Sequence, residues 1–141
     1  MTNVFVYGSL LFSEIADGLC GQTLTSEYAT LRGFSRFALK EADYPAIVPY
    51  KNAEVTGKIL LNLEDEAIKL LTFYEGDEYE IAPVKVKTNS GIKNAIAFVW
   101  IAGNEFLEDV DWDTEQFKSE SLEFYRDEII PATRKEFYRT E

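Results

Sequence analysis

Apolar positions near the start of the chain predict a strand, a turn and a short helix. Residues 4–7, Val-Phe-Val-Tyr, form a continuous apolar run that is typical of a buried strand. Gly8 and Ser9 follow it directly and predict a tight turn. Residues 11–19 then carry apolar side chains at helical spacing, which indicates a short helix that stops near Gly21.

The next third of the chain is predicted to form strands. Residues 23–50 are rich in β-formers and are interrupted by Gly33, Pro45 and Pro49, which indicates two or three short strands with irregular loops. Residues 55–63 alternate between apolar and polar side chains. This period of two predicts a strand with one buried face.

A helix is predicted to follow that strand. Asn62 is expected to cap it, and acidic side chains in its first turn suit the positive end of the helix dipole. Its inner stripe consists of Ala67, Leu70, Leu71 and Tyr74. Gly76 is expected to end the helix.

The last part of the chain predicts a hairpin and a C-terminal helix. Residues 79–87 and 92–101 flank a short polar turn that contains glycine, which favours a β-hairpin at the end of the sheet. Asp113, followed three residues later by Gln116, resembles a capping box. The helix that begins there is expected to kink or break at Pro131.

Length and charge limit the class of protein. A chain of 141 residues with 46% hydrophobic content is expected to form one globular domain over residues 1–141. Its formal net charge of −11 argues against nucleic acid and anionic membranes as partners. Cys20 is the single cysteine, and no secretory signal or membrane span is recognised, so we expect a cytoplasmic location. The oligomeric state is left open.

The absence of histidine restricts the available chemistry. Histidine is the usual general base near neutral pH and the commonest transition-metal ligand. Without it, Ser–His and Cys–His nucleophile pairs are excluded, and one cysteine alone provides no zinc site. No metal is therefore expected. The groups that remain available for catalysis are carboxylates, tyrosines, lysines and backbone amides.

Two segments are candidates for chemistry. Glu75 ends the apolar helix just before Gly76, where burial and the helix dipole would raise the pKa of its carboxyl group and suit it to proton transfer. The turn at Gly8 suits backbone N–H groups that point at an anion. Each segment alone is more often an ordinary turn or a solvated helix end.

Arg32 and Arg36 are expected to face solvent or a surface acid, outside the site.

Four segments in this order resemble the gamma-glutamylcyclotransferase-like family, of the gamma-glutamylamine cyclotransferase type. They are Tyr7-Gly8-Ser9-Leu10, Tyr44-Pro45-Ala46-Ile47-Val48, Val55-Thr56-Gly57, and Tyr74-Glu75-Gly76 with Tyr79. The resemblance implies an α+β fold with a compact, mixed, barrel-like β-sheet, flanking helices and a C-terminal helix. It implies that Glu75 is the catalytic residue. The substrate-binding segment that it implies is Tyr7, Gly8, Ser9 and Leu10.

The resemblance also implies a reaction. The α-amine of a gamma-glutamyl substrate attacks its own side-chain carbonyl and releases 5-oxoproline and a free amine or amino acid. Glu75 acts as general acid and base, so the enzyme is an acyltransferase or lyase that needs no cofactor. Ser9 then binds substrate and does not attack it. Glu80 and Ile81 follow Tyr79 where relatives often carry an arginine, so the identity of the leaving amine stays open.

Two alternatives also stay open. The first is a non-catalytic small-molecule-binding or interaction protein on the same fold, which the residues after Tyr79 and the acidic C-terminal helix would favour. The second is hydrolysis by Ser9 or Cys20, which needs an activating base such as a lysine.

Overall fold

The computed structural model describes residues 1–140, and within them five strands close into a barrel. The strands are Thr2–Val6 (β1), Ser26–Ala38 (β2), Pro45–Leu63 (β3), Tyr79–Thr88 (β4) and Gly91–Trp100 (β5). Their order around the ring is β1-β3-β2-β4-β5, with β1 parallel to β5 and the other neighbouring pairs antiparallel. The predicted mixed, barrel-like sheet and the predicted β4–β5 hairpin are confirmed.

Helices cover one side of the barrel. They are Ser13–Cys20 (α1), Asp65–Glu75 (α2), Thr114–Glu120 (α3), Leu122–Phe124 (α4) and Ile130–Thr140 (α5). A 3₁₀ turn, Ser9–Leu11, leads from β1 towards α1. The predicted α+β class, with flanking helices and a C-terminal helix, is confirmed. Across residues 1–140, no helix is both long enough and apolar enough to span a membrane.

Strand β1 is buried on both faces, because the barrel interior and the helices take alternate side chains. Phe5 packs inside the barrel with strand residues such as Ile59. Val4 and Val6 belong to the cluster that the sheet shares with the helices, together with Leu70 of α2. A strand covered on both sides has no polar face, which explains the continuous apolar run in the sequence.

Two glycines allow β1 and the turn after it to pack closely. A Cβ atom on Gly57 of β3 would overlap the Val6 carbonyl oxygen and would lie 3.0 Å from Cζ of Phe5. A Cβ atom on Gly8 would lie 2.8 Å from Cδ of Pro45. The φ of Gly8 is −126°, so the approach of Pro45, and not a left-handed backbone, is what requires glycine there.

The strands between residues 23 and 63 are longer than predicted. Strand β3 runs from Pro45 without a break and includes the strand predicted at 55–63. Pro45 begins the strand, where its missing N–H group is tolerated. Pro49 pairs with Phe34, next to a register irregularity that leaves Gly33 of β2, with a φ of 86°, and residues 50–53 of β3 without partners. Such an irregularity interrupts the ladder of hydrogen bonds.

The prediction that Asn62 caps α2 is wrong. Asn62 still belongs to β3, with a φ of 57°, and its backbone N–H donates to Oδ1 of Asn3 over 2.9 Å. Glu64 occupies the cap position without a side-chain hydrogen bond. The acidic first turn of α2, Asp65 and Glu66, is as predicted and complements the helix dipole.

The C-terminal helices agree with the sequence only in part. Oδ1 of Asp113 accepts the Gln116 N–H at 3.0 Å, which confirms this half of the capping box. The Gln116 side chain instead donates to Glu120. Pro131 does not end the helical chain, because a π turn at Tyr125–Ile129 precedes α5. A π turn is wider than a turn of α-helix, so it tolerates a following proline, which has no backbone N–H group to donate.

We expect Gly57→Ala to lower the free energy of unfolding by about 1–3 kcal/mol, because the added methyl group pushes β1 away from β3. Urea denaturation measures this loss. Gly18→Ala is the matched control, since its Cβ would lie 3.6 Å from Cγ2 of Ile130, an ordinary contact, and alanine favours a helix by about 1 kcal/mol over glycine. An unchanged stability of Gly57→Ala would contradict the close packing described for β1.

Candidate active site

A cleft opens where β1 leaves the barrel. Its open space, including the mouth, is about 340 Å³. The five site residues named from the sequence all line it: Tyr7, Gly8, Ser9, Leu10 and Glu75. The end of β1 therefore lies next to the end of α2, although 64 residues of chain lie between Leu10 and Glu75.

The turn after β1 has unpaired backbone donors. Its N-cap residue, Gly8, makes no side-chain capping hydrogen bond, and the Leu11 N–H donates to the Gly8 carbonyl over 2.9 Å. Among the described residues, no protein acceptor is found for the N–H groups of Gly8, Ser9 and Leu10. The first N–H groups of a helical turn lack partners by geometry, so these three are available to an anionic or carbonyl oxygen.

Arg36 of β2 sets the direction of the first peptide of the turn. Its Nη1 donates to the Tyr7 carbonyl oxygen over 2.8 Å, and its Nε donates to Asp111 over 2.8 Å. The guanidinium lies 5.5 Å from the centre of the Trp112 ring. In a trans peptide the C=O and N–H bonds point in opposite directions, so fixing the Tyr7 carbonyl also fixes the N–H of Gly8. Asp111 is the surface acid that the sequence analysis expects Arg36 to face. Arg36 also orients the turn through its hydrogen bond to the Tyr7 carbonyl.

Tyrosine rings form walls of the cleft. The Tyr7 hydroxyl donates to the Phe98 carbonyl over 2.6 Å, and the Tyr79 hydroxyl donates to the Pro45 carbonyl over 2.7 Å. Burial raises the pKa of both tyrosines, so both stay neutral. Tyr44 and Tyr79 line the cleft, although the sequence interpretation selected Tyr7 alone. Their presence in the segments that carry the family resemblance was the available signal.

Neither candidate nucleophile is placed for attack. The hydroxyls of Ser9 and Tyr74 share a hydrogen bond of 2.6 Å, and burial raises the pKa of Tyr74, so this partner is a neutral phenol and not a base. Cys20 ends α1 and is not among the residues that line the cleft. Burial raises the pKa of its thiol to about 11. Nothing in this geometry favours hydrolysis by either residue.

Glu75 is the last residue of α2, as predicted, and Gly76 follows it with a φ of 84°. Although Glu75 keeps part of its surface exposed, its carboxyl group is enclosed by protein. Burial raises the pKa of this carboxyl group to about 8. The rise was expected from burial and the helix dipole together, and burial is the cause found. A carboxyl group with this pKa exchanges protons near neutral pH.

Glu80 and Ile81, the two residues because of which the identity of the leaving amine stays open, lie outside the cleft. Glu80 is exposed and Ile81 is 43% exposed, both on β4. Neither lines the cleft. These positions therefore do not alter its walls directly.

Comparison with known proteins agrees with this geometry. A family model described as "Gamma-glutamyl cyclotransferase, AIG2-like" matches residues 4–114. AIG2-like protein B from Arabidopsis thaliana is 37% identical over 118 residues, which cover 82% of this chain and 69% of that protein. The solution structure of another Arabidopsis thaliana protein has a TM-score of 0.71 at 27% identity and covers 99% of this chain and 83% of its own. A structure described as a gamma-glutamyl cyclotransferase has a TM-score of 0.62 at 16% identity, covers 93% of this chain and 86% of its own, and shows a likeness of fold.

The raised pKa of Glu75 predicts how stability depends on pH. Between pH 4.5 and about 8, the unfolded chain ionises Glu75 while the folded chain keeps it protonated, so the folded state binds more protons. Its contribution to stability therefore falls as pH rises through this range and levels off above it. We expect the difference in unfolding free energy between wild type and Glu75→Gln to follow this curve in urea titrations. A difference that stays flat from pH 5 to 8 would show that the carboxyl group is not buried.

Proposed function

The chain belongs to the AIG2-like gamma-glutamyl cyclotransferase family, and on that premise we propose that it cyclises a gamma-glutamyl amide. The substrate's α-amine attacks its γ-carbonyl carbon, a new C–N bond closes the five-membered ring, and the original amide C–N bond breaks. The products are 5-oxoproline and a free amine or amino acid. The observation that carries the proposal is the enclosed carboxyl of Glu75 beside the unpaired N–H groups of the turn after β1.

The turn supplies the binding contacts in this proposal. The unpaired N–H groups of Gly8, Ser9 and Leu10 hold the gamma-glutamyl group and stabilise the oxyanion that develops on its carbonyl, and the Tyr7 ring forms a wall beside them. One donor to an oxyanion is typically worth roughly 3–4 kcal/mol. Both reacting atoms belong to one substrate, so holding it in the attacking conformation contributes at most about 7–11 kcal/mol.

Glu75 carries out the two proton transfers. Its carboxylate accepts a proton from the substrate's α-ammonium, which frees the nitrogen lone pair for attack, and the resulting carboxylic acid gives that proton to the departing nitrogen as the amide C–N bond breaks. The second proton, which the ring nitrogen loses on becoming an amide, passes through the same carboxylate to the released amine, which leaves as an ammonium ion. No proton is consumed, and no cofactor takes part. An α-amino group has a pKa of about 8, so the burial that raises the pKa of Glu75 to about 8 makes this transfer nearly balanced.

The first test is the release of 5-oxoproline from a panel of gamma-glutamyl amides. We expect turnover of at least one substrate by the wild type and a fall in kcat of about 10²–10⁴-fold in Glu75→Gln, because the amide cannot transfer the proton. Ser9→Ala is the control for nucleophilic attack by the serine. We expect it to keep kcat within about tenfold, since only its hydrogen bond to Tyr74 is lost.

The panel also separates the alternatives. Full activity in Glu75→Gln would remove its role in proton transfer, and loss of all activity in Ser9→Ala would restore the serine as a nucleophile. If calorimetry detects binding of gamma-glutamyl amides but no substrate is turned over, the chain is a binding protein and the proposal fails.

Arg36→Lys tests the orientation of the turn. Lysine keeps the charge but cannot hold the Tyr7 carbonyl and the Asp111 carboxylate with one rigid planar group. We expect kcat to fall by about 10–100-fold with a smaller change in KM, because the turn's donors are displaced from the developing oxyanion. Arg32→Lys is the matched control on the same strand, where the side chain is exposed, and should stay within about twofold of wild type. Equal kinetic parameters for the two variants, at equal thermal stability, would contradict a positioning role for Arg36.

A further inference from the structure

A second cavity lies on the other side of Glu75. Its open space, including the mouth, is about 600 Å³. Four of its lining residues also line the first cleft: Ser9, Tyr44, Glu75 and Tyr79. Glu75 therefore stands between a cleft with free backbone donors and a cavity that reaches the C-terminal helices. We call this cavity the C-terminal pocket.

The far wall of the C-terminal pocket comes from the C-terminal helical segment. Tyr125, Ile129 and Thr133 supply it. Residues spaced by four along a helical segment lie on one face, so these three form a continuous surface. All three lie beyond residue 114, where the match to the family model ends. The cleft that holds the turn is thus within the matched region, and the far wall of this pocket is outside it.

The polar groups of that wall are already engaged. The Tyr125 hydroxyl donates to Oδ1 of Asp43 over 2.6 Å, and Oγ1 of Thr133 donates to the Ile129 carbonyl over 2.7 Å. Burial raises the pKa of Tyr125, so its hydroxyl stays protonated. Among the described residues, Tyr44 is the one tyrosine of this pocket whose hydroxyl has no protein partner. Ring faces and aliphatic carbon therefore lie beside the carboxyl group of Glu75 on the surface offered to a ligand.

We propose that the C-terminal pocket binds the departing amine and favours an amine that carries an aromatic ring. This inference rests on the proposed function. With the gamma-glutamyl group on the turn, the scissile C–N bond lies beside Glu75, and the nitrogen substituent extends into the space that shares Glu75 as a wall. Four of the eight residues that line the C-terminal pocket are tyrosines. Packing of an aromatic ring against their rings adds to the free energy gained by burying apolar surface.

The experiment compares two substrates that differ only in the amine, gamma-glutamyl-phenethylamine and gamma-glutamyl-methylamide. We expect kcat/KM to be at least about tenfold higher for the phenethylamine substrate, since the apolar difference is buried in the pocket. Thr133→Trp fills the pocket and should lower this ratio by about tenfold. Lys135→Trp is the matched control, because it adds the same ring at an exposed position of α5 and should keep the wild-type ratio.

The outcomes separate this inference from the proposed function. If methylamide is turned over but the ratio is near one, or if both tryptophan variants give the same ratio, the pocket assignment is wrong while the cyclotransferase activity stands. A stronger preference for a gamma-glutamyl aliphatic diamine of similar length would overturn the aromatic assignment. If neither substrate reacts, the proposed function fails, and the pocket is tested by binding alone.

In that test, phenethylamine is titrated into protein with isotope-labelled methyl groups, and NMR chemical shifts are followed. Chemical-shift changes at the Ile129 methyl groups that Thr133→Trp abolishes would support the pocket, and their absence in the wild type would overturn it.

Discussion

Closure of the barrel through β1 is the constraint on which the rest of the structure depends. Strand β1 pairs antiparallel with β3 and parallel with β5, and Gly57 of β3 has no room for a Cβ atom beside the Val6 carbonyl. With both faces buried, the chain leaves the barrel only after Tyr7, where Pro45 packs against Gly8. Burial of β1 on both faces and the close approach of Pro45 to Gly8 therefore hold the start of the turn in place. Its N–H groups are unpaired because of the geometry of a helical turn, and no loose loop is needed to expose them.

The electrostatics of Glu75 follow from the same packing. Helix α2 begins almost directly after β3 and runs eleven residues, so the position of β3 places the end of α2 beside the turn. Among the described residues, no lysine or arginine forms an ion pair with Glu75. A partner cation would lower the pKa, whereas burial without one raises it to about 8. A buried, unpaired acid lowers stability at neutral pH, and strongly shifted groups of this kind cluster at functional sites.

The sequence predicts features that depend on near neighbours and misses features that depend on distant ones. The helix end at Glu75 and the β4–β5 hairpin carry local signals, and both are predicted. The break predicted at Pro49 is wrong because the register irregularity beside that proline, which involves Gly33 of β2 as well as residues 50–53 of β3, depends on the pairing of the two strands. The role of Arg36 could not be recognised, since its partner is the Tyr7 carbonyl, a backbone atom at the end of a different strand. The sequence predicts a raised pKa for Glu75 only if that residue is buried, because the sequence of α2 alone does not show what covers its last residue.

The proposed reaction places catalysis and the choice of the amine in different parts of the chain, and the π turn affects the second of these. Glu75 and the turn after β1 lie within the family match, whereas the far wall of the C-terminal pocket lies beyond it. Compared with a regular helix, a π turn adds about one residue and rotates the next helical segment by roughly 100°. The face that Thr133 presents to the pocket therefore depends on the π turn at Tyr125–Ile129, which precedes Pro131. In the proposed reaction, substitutions around Pro131 would change which side chains meet the amine while leaving the turn after β1 and Glu75 in place, so specificity could change independently of the chemical step.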